Sequence, residues 1–136
     1  MSSKGLVFES SRITGSVPPP AALRDRSRYH NDGVFGAAAA APSWVLSPGG
    51  VWVNGYDGGD YITVAHSPSL NFISTCSFSF WANFASFPAP GGLRYVLDKG
   101  NLGASTGYMI LLDGVNPYVS LLIVMAWRHR RHIHRF

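Results

Sequence analysis

Glycine and proline interrupt this chain so often that a helix of ordinary length has no room to form. Pro18-Pro-Pro20 forces an extended connection, because proline fixes φ and lacks a backbone donor. Asn31-Asp-Gly33 is strong turn chemistry, Gly55-Tyr-Asp-Gly-Gly59 is a second turn cluster, and Lys99 to Gly107 is a glycine-rich loop. The alanines of Ala37 to Ala41 favour a helix in composition. Five residues between Gly36 and Pro42 are too few to overcome the nucleation cost, so the sequence predicts a loop there.

The segments left between these breaks carry a strand signature. Gly5 to Ser10, Val51 to Asn54 and Tyr61 to Val64 are short and rich in β-branched or aromatic residues. Cys76 to Ala82 has the clearest period of two, with Cys76, Phe78, Phe80 and Ala82 on one face and Ser77, Ser79 and Trp81 on the other. Leu93 to Asp98 and Tyr108 to Asp113 flank the Lys99–Gly107 loop and predict an antiparallel pair. Many short strands with turns about every ten residues predict an all-β fold, an antiparallel β-sandwich or jelly roll.

At 136 residues, one globular domain with a real core is the expected scale. Hydrophobic residues make up 46% of the chain, too many for disorder. The single thiol, Cys76, closes no intrachain disulfide, so packing or a metal must hold the fold. The front of the chain shows no signal peptide, since Gly5 to Phe8 is a four-residue apolar run cut off by Glu9. Tyr118 to Trp127 is the most apolar window. As a helix its ten residues reach about 15 Å, half of a roughly 30 Å hydrocarbon layer, so it predicts no membrane span and a buried strand, with an interfacial membrane anchor as the alternative.

The net charge of +4 sits in one place. Residues 1–127 hold seven basic and seven acidic side chains, so the excess is Arg128, Arg130, Arg131 and Arg135. A nucleic-acid binder spreads its positive charge over a folded face. Here the charge lies on a tail, 128–136, that also carries His129, His132 and His134. Arginines bind phosphates and imidazoles bind transition metals, but no groove-reading helix accompanies them. A solvated, disordered tail is the expectation, and nucleic acid is not an expected partner.

Several segments then occur in a telling order. Asp25-Arg-Ser-Arg-Tyr-His-Asn-Asp-Gly33 comes first, followed by Trp44, Val53-Asn-Gly-Tyr-Asp-Gly-Gly-Asp-Tyr-Ile-Thr-Val64, Ser67-Pro-Ser-Leu70, Phe78-Ser-Phe-Trp81 and Leu97-Asp-Lys-Gly100. In series, over positions 5 to about 113, they resemble the concanavalin A-like, laminin G-like jelly-roll domain of secreted and surface proteins. The resemblance implies an extracellular or virion- or cell-surface setting. It also implies a partial domain over 1–117, ending after the family's first half to two-thirds. An apolar strand-like segment, 118–127, and the basic tail then follow in place of the family's Trp-His and Asp-Gly continuation. A sheet without its strand neighbours leaves backbone donors and acceptors unpaired along an edge. The expectation is a truncated or frameshifted gene, a designed fragment, or a protein completed by another chain.

Catalysis is not expected. Some jelly-roll relatives are glucanases that place two carboxylates across the scissile bond, and this chain has one glutamate, Glu9, with no such pair. Gly103-Ala-Ser-Thr-Gly107 has the letters of a nucleophile elbow around Ser105, but that motif requires a helix after it, and Tyr108 to Leu112 reads as strand. Cys76 lies on the apolar face of its segment and reads as a small core hydrophobe.

Two kinds of binding residue stand out. Calcium takes six to eight hard oxygens, which irregular loops supply without fixed spacing. Asp25, Asn31 and Asp32 share one loop, Asp57 and Asp60 another, and members of the resembled family often bind calcium at the sandwich rim; the first trio is the candidate Ca2+ site. The competing role for these residues is turn formation. Trp81 reads as core by the resemblance, with a sugar-stacking platform as the alternative. The expected function is a non-catalytic binding or adhesion module for carbohydrate or a surface protein. The alternative is a structural subunit of a virion or surface assembly, completed by a strand from a neighbour or a second copy.

Overall fold

The computed structural model describes residues 13–72, 76–101, 106–114, 118–124 and 133–135. Its regular structure is nine strands: β1 (Ala22–Leu23), β2 (Gly33–Phe35), β3 (Ser43–Leu46), β4 (Trp52–Gly55), β5 (Ile62–Val64), β6 (Leu93–Asn101), β7 (Thr106–Asp113), β8 (Tyr118–Val124) and β9 (Ile133–Arg135). Every strand pairing is antiparallel. The helical content among the described residues is two single 3₁₀ turns, Ala38–Ala40 and Pro68–Leu70. The protein is therefore all-β, as its punctuation predicts. The alanine run, expected as loop, does form one 3₁₀ turn and stops there, in keeping with the cost of nucleating anything longer. Among the described residues no helix is long and apolar enough to cross a membrane. The expected Gly5–Ser10 strand lies outside the described residues.

The chain divides into two compact units, Met1–Asn71 and Phe72–Phe136. In the first, a three-stranded sheet runs in the order β1-β2-β5 beside a β3–β4 hairpin. The hairpin closes where Ser47 accepts from Gly50 N at 2.9 Å and donates to Val51 O at 2.8 Å. Gly50 has φ +70° there, a conformation that glycine enters without steric cost. On β2, Gly33 and Phe35 are buried and Val34 is exposed, the alternation of a strand covered on one face. Phe35 packs on Trp44 of β3 with ring centroids 5.7 Å apart, and Trp44 Nε1 donates to Pro20 O at 2.8 Å. The proline-rich connection thus supplies an acceptor to a tryptophan it could not have served as a donor. Gly33 pairs with both Leu23 and Val64, and a Cβ on it would lie 2.6 Å from Ile62 Cγ2. Glycine here lets the flanking β-branched side chains close over the backbone.

The second unit contains a four-stranded meander, β6-β7-β8-β9. The expected pairing of Leu93–Asp98 with Tyr108–Asp113 is present, extended to Asn101 and Thr106, with a register shift between Tyr95 and Leu97. The expected strand from Tyr118 is β8, whose described part ends at Val124. Tyr108, Met109, Ile110, Leu111 and Leu112 are buried in unbroken succession. Successive residues of a strand point to opposite faces, so β7 is covered on both sides. One face carries Tyr108 against Phe72 and Phe78, at centroid distances of 5.0 and 5.3 Å.

Two expectations need correction. Cys76–Ala82, the clearest period-two segment, belongs to no ladder. Phe78 is half-buried against Tyr108, but Phe80 is 47% exposed and Trp81 is fully exposed, so neither Phe80 nor Trp81 is core. Periodicity specifies which side chains share a face. It does not supply a neighbouring edge to take the backbone hydrogen bonds, and a strand needs both. The tail also differs from a wholly disordered one, because the backbone of Ile133–Arg135 pairs with Ser120–Leu122 of β8.

Candidate functional site

The loop that carries the acidic candidates folds around one carboxylate. Asp25 is 2% exposed, and Ser27 and Asn31 are buried with it. Asp25 Oδ1 accepts from Ser27 N at 2.8 Å, while Oδ2 accepts from Ser27 Oγ at 2.8 Å and Asn31 N at 2.7 Å. Asp32 closes the ring of contacts, its Oδ1 accepting from Asp25 N at 2.8 Å. The chain folds this way locally because Asp-x-Ser offers an Asx turn, and His30, at φ +50°, reverses the backbone so that Asn31 N returns to Asp25. Asn31 then anchors the loop at a distance in sequence, donating from Nδ2 to Ser69 Oγ at 3.1 Å. Ser69 Oγ is in turn 2.9 Å from Ser67 Oγ.

Asp25, Asn31 and Asp32 are therefore brought together, as their shared loop implies. The hydrogen bonds made to Asp25 are those of the competing role, turn formation. N–H and O–H groups converge on the Asp25 carboxylate and satisfy its oxygens. Among the described residues, no three His, Cys, Asp or Glu side chains are grouped to hold a metal. Asp57 and Asp60 make a similar exposed turn, with Asp60 Oδ2 accepting from Asp57 N and Asp57 Oδ1 from Gly59 N, each at 2.9 Å. The Ser27 role was readable from Asp-x-Ser. Ser69 lies 38 residues from Asn31, and no local signal announces it.

The second unit presents a different surface. Trp81 stands in solvent on the ladder-free segment, with Phe80 and Phe87 more than two-fifths exposed. Leu93 and Tyr95 of β6 are about half-exposed, and β6 is an outer strand of its sheet. The same strand bears Arg94, Asp98 and Lys99 and a register shift between Tyr95 and Leu97, features that blunt unguided edge pairing. Ser105 lies outside the described residues, and the chain after it is strand β7 instead of the helix a nucleophile elbow requires. His129 and His132 also lie outside them.

Cys76 is half-buried, and desolvation raises its thiol above the ordinary value, which favours the neutral form over a nucleophilic thiolate. Burial, with a smaller contribution from Cys76, pushes the Tyr108 phenol up to about 12. The unfolded phenol ionises near 10, so between about pH 10 and 12 the unfolded chain releases a proton that the folded one keeps. Stability contributed by burying neutral Tyr108 is thus fully present below about pH 10 and lost as pH rises to 12. Urea midpoints measured from pH 9 to 12 are expected to fall across that window in the wild type, and to fall less in Tyr108→Phe. Parallel curves for the two proteins would refute the assignment.

The chain matches no protein-family model, and searches of curated proteins and of solved structures return no match.

Proposed function

We propose that this chain is a non-catalytic binding or adhesion module of laminin G-like character, working at a cell or virion surface, and that Trp81 is its contact with carbohydrate. The observation that carries this reading is the complete exposure of Trp81. An indole removes roughly 200 Å² from water when buried, equivalent to about 5 kcal/mol, which this fold forgoes. A flat aromatic with a negative face suits the C–H face of a sugar ring, and placing it outside any ladder leaves both of its faces open. The order of motifs from Asp25 to Gly100 and the all-β architecture support the family character. The single glutamate and the self-satisfied Asp25 carboxylate support a role without catalysis.

The test is binding of the full chain to immobilised glycans and to extracellular-matrix proteins, followed for Trp81→Ala. A central tryptophan commonly contributes 2 kcal/mol or more, so the variant should lose about 30-fold in affinity for a glycan. Equal glycan affinity in both proteins would overturn the role of Trp81. Binding confined to matrix proteins would replace carbohydrate with a protein ligand.

The outer strand β6 favours a second reading, a structural subunit completed by strand addition from a neighbouring chain. Its half-exposed Leu93 and Tyr95 would then be covered in the assembly. Sedimentation over a hundred-fold dilution should show dissociation, and Tyr95→Pro, which removes a backbone donor, should shift the equilibrium to monomer. A single species at every concentration in the wild type would exclude self-assembly.

A further inference from the structure

We draw no further inference here: the strongest candidate, the exposed apolar patch where Val45 of β3 lies directly across the ladder from Val53 of β4, carries nothing because nothing in the structure shows what covers it.

Discussion

Asp25→Ala is expected to destabilise the protein by about 3–5 kcal/mol, as measured by urea denaturation at neutral pH. The substitution removes the acceptor of at least three hydrogen bonds, and two of the abandoned donors are backbone N–H groups, of Ser27 and Asn31. Each donor left unsatisfied in a buried setting costs about 1–3 kcal/mol, and bonds to a charged acceptor stand at the upper end of the range. Water entering the space left by the carboxylate recovers part of that sum. Against a total stability of about 5–15 kcal/mol for a domain of this size, the loss is a large fraction. Asp25→Asn keeps the shape but places an amide NH2 where an oxygen accepted, so it should cost about half as much. A loss below about 1 kcal/mol in Asp25→Ala would mean that the loop is held by other contacts. The same titrations with calcium and with a chelator should coincide. A midpoint raised by calcium in the wild type and not in Asp25→Asn would place calcium on this loop.

The Asp25 loop was legible in sequence because its chemistry is local. Asn31-Asp-Gly33 announces a turn, and Asp25 lies close enough to reach back across it. The same locality made β6 and β7 legible, since a glycine-rich loop between two apolar runs leaves few alternatives to a hairpin. What the sequence concealed depends on partners far along the chain. Ser69 reaches Asn31 through the fold alone. Cys76–Ala82 has better alternation than β6, yet β6 has β7 beside it and Cys76–Ala82 has no ladder partner, so the poorer pattern became the strand. Trp81 follows from that failure. The laminin G-like resemblance implied a place within the sandwich, and without a sheet the residue meets solvent instead.

Burial of β7 on both faces leads to the other large effect. Met109 and Leu111 point to one side of the strand, and Tyr108, Ile110 and Leu112 to the other. Met109→Ala and Ile110→Ala should each cost about 2–5 kcal/mol, because each removes methylenes from a filled site and leaves a cavity. Trp81→Ala, made on a side chain already in solvent, should change stability by less than about 0.5 kcal/mol. The pair on β7 is the informative comparison. A strand in a sheet with one wet face would tolerate truncation at alternate positions, so one variant would fall and its neighbour would not. Equal losses at adjacent residues require a layer on each side of the meander, and that requirement distinguishes a sandwich-like interior from a single open sheet. If Met109→Ala or Ile110→Ala proves neutral, one of those layers is missing. The laminin G-like proposal, which needs sheet packed on sheet around strands such as β7, would then lose its physical basis.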